Sequence, residues 1–170
     1  MNPLLELLER IRKSGIPLEK EVAEAMQQVY IGSFTDFELD PFWHDRPVPF
    51  LITDYGAAKT ISAPHMIVTL LHHLELKKNQ HVLLIGAKAG YLSALIDHIV
   101  GESGMVTIVE PHQEVLSHTE ERLEFHDSKG IIRILPVEAL ENIDANSRGV
   151  DRVLITGAIK QTPLIVAGMV

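Results

Sequence analysis

The chain has 170 residues, 46% hydrophobic and 22% charged, with a net charge of -8 and no cysteine. That length and apolar content predict one globular domain with a real core. The acidic balance speaks against a nucleic-acid surface, which needs clustered Lys and Arg. The lack of Cys removes disulfides, thiolate nucleophiles and zinc-thiolate centres, and fits a reducing interior. No apolar run reaches the roughly 18 residues of a membrane span, and the first helix carries Glu6, Glu9, Arg10, Arg12 and Lys13 where a signal peptide would be apolar, so the expected location is cytoplasmic.

Leu4, Leu5, Leu7, Leu8 and Ile11 follow helical spacing, with Asn2 as a cap, Pro3 in the first turn and Gly15 at the end. A second helix is expected from about Pro17 to Val29, burying Val22, Met26 and Val29. Periodicity dissolves between Ile31 and Lys59, where Asp40-Pro41, Arg46-Pro47, Val48-Pro49 and Asp54-Tyr55-Gly56 impose turns. Phe34, Phe37, Phe42, Trp43 and Phe50 make that stretch too aromatic for disorder. It reads either as a functional loop or as a covering loop whose rings complete the core. Ser62 suits a helix N-cap before Pro64, and Ile67, Val68, Leu70, Leu71 and Leu74 supply the apolar face of the helix that follows. Four strand-like runs come next: His81 to Ile85, Met105 to Glu110, Ile131 to Leu135 and Arg152 to Thr156. Helical patterns carrying Tyr91, Leu92, Leu95, Ile96 and Ile99, and then Val115, Leu116, Thr119 and Leu123, separate the first three. This alternation predicts an α/β fold with a parallel, Rossmann-like sheet. Residues 1–60 form an N-terminal helical and loop segment packed on the core, and residues 61–170 form the core itself.

Ligands of such sheets bind beyond the carboxyl ends of the strands. The first strand runs into Gly86-Ala87-Lys88-Ala89-Gly90 and the second ends at Glu110, a carboxylate placed to accept hydrogen bonds from ribose hydroxyls. The alternative for the glycines is a plain tight turn. A dinucleotide fingerprint fails because Lys88 and Tyr91 stand where glycines are required, and a phosphate loop fails at Tyr91 as well. A nucleoside ligand without phosphate, such as S-adenosyl-L-methionine, fits best.

Thr60 to Met66, TISAPHM, is the most specific string in the chain, and with Val82 to Tyr91 and Asp151 to Ala158 it resembles the protein-L-isoaspartate O-methyltransferase family over nearly the whole sequence. The resemblance implies a class I methyltransferase sheet with its strands in the order third, second, first, fourth. It implies methyl transfer from S-adenosyl-L-methionine to the free carboxyl of isoaspartyl residues in damaged proteins, which would be the protein's partners. Ser62 would position the acceptor carboxylate as the catalytic residue, with Thr60, Ala63 and His65 shaping the substrate side. Gly86, Ala87, Lys88, Gly90, Tyr91, Glu110 and Glu138 would hold the cofactor. The chemistry asks for alignment rather than a general base, since a carboxylate is already nucleophilic and a sulfonium already activated. For Ser62 the competing account is a helix cap and nothing more.

The chain departs from the family pattern at three places. Leu84 stands where an acid is usual, Lys88 replaces the central glycine of the loop, and Pro136-Val137-Glu138 replaces Gly-Asp-Gly. A lysine in the loop sets positive charge near a sulfonium and is strained if its φ is positive. These departures keep a second reading open, a non-catalytic relative acting as a binding or interaction module. Against the family pattern the core is expected to be shortened at its C-terminal side. An uncovered sheet edge and the apolar run Leu164 to Val170 then point to a homodimer contact. The nine histidines include His72-His73, His112 and His118 but form no metal-binding motif, so no metal is expected.

Overall fold

The structure, a computed structural model, describes residues 2–141 and 149–157. Helix α1, Pro3–Lys13, is capped by Asn2, whose side chain accepts the Leu4 N–H, and it buries Leu7, Leu8 and Ile11. Helix α2, Lys20–Gln28, starts later than its periodicity suggests, because Glu19 is extended and offers no side-chain cap. Ile16 and Leu18 instead pack on the core from the preceding extended stretch.

The segment expected to be irregular contains ordered elements. A short 3-10 turn, Ile31–Ser33, and a one-turn helix α3, Asp40–Trp43, lead into an antiparallel hairpin of β1, Val48–Ile52, and β2, Ala58–Ile61. Pro49 hid β1 from a periodicity reading. The register shifts between Pro49 and Leu51, and such an irregularity is where a strand tolerates proline. Phe34, Phe42 and Phe50 are buried, so the covering role of the aromatic rings holds for these three, whereas Phe37 is exposed.

Helix α4, Pro64–Leu74, follows β2 and turns into β3 through Glu75 in the left-handed region. The core then alternates: β3, His81–Ile85; α5, Tyr91–Val100; β4, Met105–Val109; α6, Gln113–Glu124; β5, Ile131–Leu135; and β6, Arg152–Ile155. The four strands are parallel in the order β5-β4-β3-β6. This is the third, second, first, fourth order implied by the resemblance. All five residues of β3 are buried, as a central strand covered on both faces requires. Leu84 and Ile85 sit in separate core clusters on the two sides of the sheet.

Polar groups fix the sheet's frame. Asp151 receives the backbone N–H of His81 on its carboxylate and donates its own N–H to the His81 carbonyl, which sets the register of β6 against β3. Asp97, almost fully buried in α5, accepts the N–H groups of Lys129 and Gly130 at 2.8 and 2.9 Å and so holds the entry to β5. Ala158, the Pro163-led segment and Leu164 to Val170 lie outside the described residues. No helix among the described residues is long and apolar enough to cross a membrane.

Candidate functional site

In the order β5-β4-β3-β6 the chain leaves β3 first to one side and later to the other, and this is where open parallel sheets form a crevice at their carboxyl edge. A cavity of about 240 Å³ lies there, lined by the tips of three strands: Ile85 and Gly86 after β3, Glu110 and His112 after β4, and Ile155 and Thr156 after β6. The β1–β2 hairpin closes it with Phe50, Lys59 and Thr60. A larger space of about 540 Å³ lies among Tyr30, Arg122, Phe125 and His126. None of its lining residues belongs to a carboxyl-end strand tip, so the smaller cavity is the candidate site.

The loop after β3 is tightly wound. Gly86, Lys88, Ala89 and Gly90 all have positive φ, at 98°, 46°, 64° and 97°. Gly86 is required twice over. Its φ disfavours a side chain, and a Cβ there would collide with the hydroxyl of Thr156, which donates to the carbonyls of Ile85 and Gly86. Lys88 adopts a backbone conformation suited to glycine. Its ammonium points toward the Thr60 carbonyl 3.5 Å away, so it spans from the β3 loop to β2. Burial and the neighbouring Lys59 lower its pKa, and the attraction of Glu110 only partly opposes them.

Glu110 lies at the tip of β4 and lines the cavity, but both of its oxygens already serve the protein. One accepts the Ala87 N–H at 2.8 Å and the other the His112 N–H at 2.8 Å. The carboxylate therefore clamps the glycine loop to the start of α6. Each oxygen keeps a second acceptor lone pair for a ligand.

Ser62 is not the cap of α4. The capping position is Ala63, which makes no side-chain hydrogen bond, and the helix start is served by Asp45, whose carboxylate accepts the His65 N–H at 2.8 Å and approaches the His65 ring Nδ1 at 3.0 Å. Ser62 is half-buried, and its hydroxyl has no hydrogen-bond partner among the described residues. It follows Thr60 by two positions, just past the end of β2, and is not among the residues that line the cavity.

Other residues expected at the site are placed elsewhere. The Tyr91 ring is buried against Phe34 and Phe42, at centroid distances of 5.7 and 6.1 Å, and burial pushes its phenol well above the ordinary range. Tyr91 therefore supports the loop from behind and lines no part of the cavity. Ala63, Ala87 and Gly90 are likewise buried, in backbone roles. His65 is held by Asp45. Glu138 lies in the short 3-10 turn Val137–Glu141, is exposed, and is not among the residues that line the cavity. Among the described residues no group of three His, Asp or Glu side chains is placed to hold a metal ion. Thr156 and Gly157 were missed, although the strand-tip rule that singles out Glu110 applies equally to the end of β6. Phe50 and Lys59 carried no comparable sequence signal.

A sequence model of the family described as Protein-L-isoaspartate(D-aspartate) O-methyltransferase matches residues 3–164. The chain belongs to this family. It is 30% identical over 165 residues to a protein-L-isoaspartate O-methyltransferase of Ignicoccus hospitalis, a match covering 93% of this chain and 72% of that one. To the protein of the same name from Aeropyrum pernix it is 33% identical, over 77% of this chain and 49% of the relative. A solved protein-L-isoaspartate O-methyltransferase structure superimposes with a TM-score of 0.80 at 20% identity, covering 97% of this chain and 51% of the other, and so shares the fold. The chain thus spans about half the length of some of its relatives and nearly three quarters of another.

Proposed function

We propose that this chain transfers a methyl group from S-adenosyl-L-methionine to the free carboxyl of L-isoaspartyl residues in damaged proteins, using the cavity at the tips of β3, β4 and β6. The observation that carries this is the strand-tip cavity itself, which Thr60 of the TISAPHM-bearing hairpin lines together with Gly86 of the loop after β3 and Glu110 after β4.

The lining fits the nucleoside half of the cofactor. Phe50, Ile85, Val115 and Ile155 offer apolar surface for a base, and Glu110 offers acceptor lone pairs for ribose hydroxyls. When bound, the cofactor supplies an activated methyl group on sulfur. The protein's own work is then positional. The positive-φ residues Gly86, Lys88, Ala89 and Gly90 wind the loop tightly so that its backbone can approach the ligand closely, and Tyr91 packs behind the loop and holds it. Ser62 donates a hydrogen bond to one oxygen of the acceptor carboxylate, which leaves the other free to attack. Thr60 and His65 border that side, with His65 fixed by Asp45. No proton need be removed, so rate comes from alignment and exclusion of water.

Purified protein is to be incubated with S-adenosyl-L-methionine and a peptide containing isoaspartate, alongside the same peptide with aspartate. Base-labile methyl incorporation into the isoaspartyl peptide alone supports the proposal, and Ser62→Ala should lower it at least about tenfold. No incorporation into either peptide would end it in favour of the reading as a binding module, which Lys88 in the cofactor loop favours.

A further inference from the structure

Phe50 is the residue that the β1–β2 register leaves out. Pro49 pairs with Thr60 and Leu51 with Lys59, so Phe50 sits in the irregularity between them with no partner in the register. A bulge of this kind re-aims a side chain, and bulges are common beside functional sites. Here the Phe50 ring is buried and forms part of the cavity wall, together with Thr60 and Lys59 of the facing strand.

The same ring rests on a histidine. His118, on α6, lies 4.9 Å from Phe50 between ring centroids, at an interplanar angle of 48°. Its Nε2 is 2.8 Å from the Phe34 carbonyl, and since a carbonyl can only accept, Nε2 carries the proton and donates it. Burial lowers the imidazole pKa more than this bond raises it, so near neutral pH the ring is uncharged and packs as an apolar plate. The two points that His118 touches are also tied to each other. The hydroxyl of Thr35, next to Phe34, donates to the carbonyl of Pro49, next to Phe50, at 2.7 Å. His118 itself is not among the residues that line the cavity.

On the methyl-transfer reading above, we propose that Phe50 binds the nucleoside of S-adenosyl-L-methionine, and that His118 is the positioning residue that sets its ring in the cavity wall. The base is the planar, apolar part of the cofactor, and Phe50 is the one phenyl ring among the described lining residues. The cofactor site is then completed by the N-terminal segment as well as by the sheet. A single side chain of α6 holds that addition in place.

The test is calorimetric titration of S-adenosyl-L-methionine into the wild-type protein, Phe50→Leu, His118→Gln and the double variant, with melting temperatures recorded to verify folding and kcat measured at saturating cofactor. His118→Gln keeps a donor for the Phe34 carbonyl and removes the ring from Phe50. The expected result is binding about fivefold weaker in Phe50→Leu and about threefold weaker in His118→Gln, with kcat nearly unchanged. In the double variant His118→Gln should add no further loss, because its effect runs through Phe50. His118→Phe keeps a ring and loses the donor, and should bind within about twofold of wild type. If the cofactor binds but His118→Gln binds it as wild type does, or the two losses multiply in the double variant, or His118→Phe binds as weakly as His118→Gln, the proposal is overturned while the methyl-transfer reading stands. If the cofactor does not bind the wild-type protein, both fall together.

Discussion

The carboxylate of Asp45 accepts the backbone N–H of His65 at 2.8 Å and lies 3.0 Å from the ring Nδ1 of the same residue. The start of α4 is therefore capped from a different part of the chain, by a residue leaving α3 with a φ of 58°. Because Asp45 does this, Ser62 need not. The Ser62 hydroxyl, two residues from the cavity-lining Thr60, makes no hydrogen bond among the described residues.

Asp45→Ala should cost about 1–2 kcal/mol, combining loss of the cap with the strain of alanine in the left-handed region. Asp45→Asn keeps an acceptor and tolerates that backbone, and should recover most of the loss. Thermal unfolding of the two variants measures this, and equal stabilities would show that the cap contributes nothing.

Gly86 and Thr156 can occupy the same corner only because one of them has no side chain. Gly86→Ala should destabilise by about 2–4 kcal/mol, from the positive φ and from collision with the Thr156 hydroxyl. Adding Thr156→Ala removes the collision but not the backbone strain. The double variant should therefore lose less than the sum of the two single changes, and strict additivity in urea unfolding would refute this account.

Asp97 is 1% exposed and accepts two backbone N–H groups at the entry to β5. Asp97→Ala takes the acceptor from both part-buried donors and should cost about 1–2 kcal/mol. Amide exchange at Lys129 and Gly130 should accelerate in step with it, whereas unchanged protection would mean that the loop is held by something else.

Stability should fall on acidification in two stages. Burial holds His118 below the ordinary imidazole value of 6.5, helped by Arg122 and opposed by the Phe34 carbonyl, and burial with Lys129 and Lys78 does the same for His98. With folded pKa values below the unfolded ones, the unfolded chain takes up protons first. Their contribution is whole above about pH 6.5 and is lost as pH falls through the lowered values. The second stage involves Asp97. Its burial would raise the pKa, but the His126 ring 3.5 Å away and the hydrogen bonds from Lys129 and Gly130 outweigh that and hold it below 3.8, so its contribution is lost only in stronger acid. Urea midpoints measured from about pH 8 down to about pH 3 should trace both declines, and His118→Gln should flatten the first.

The alternation of strands and helices, and with it the α/β class, was legible from periodicity. β3 is a continuous apolar run, while α5 and α6 carry their apolar residues at helical spacing, and both patterns follow from burial. The strand-tip positions Gly86 and Glu110 were legible for the same reason, since a parallel sheet exposes its ligand edge at one end of every strand. The hairpin was not, because Pro49 and the register shift beside it break the alternation that marks a strand. Tyr91 was misplaced because its position next to the loop says nothing about which way the ring turns. Phe34 and Phe42, distant in sequence, supply the apolar surface that draws it inward.

By itself the sequence determined what depends on neighbours along the chain: which segments are helix or strand, where the glycine turn falls, and that TISAPHM precedes it. Tertiary structure alone decided that Asp45 would cap α4, that Lys88 would reach Thr60, and that both oxygens of Glu110 would be occupied by backbone donors. The physical reason is that local propensity is set by residues within a turn or a pleat, whereas a hydrogen-bond partner is chosen by whatever the folded chain brings within about 3 Å.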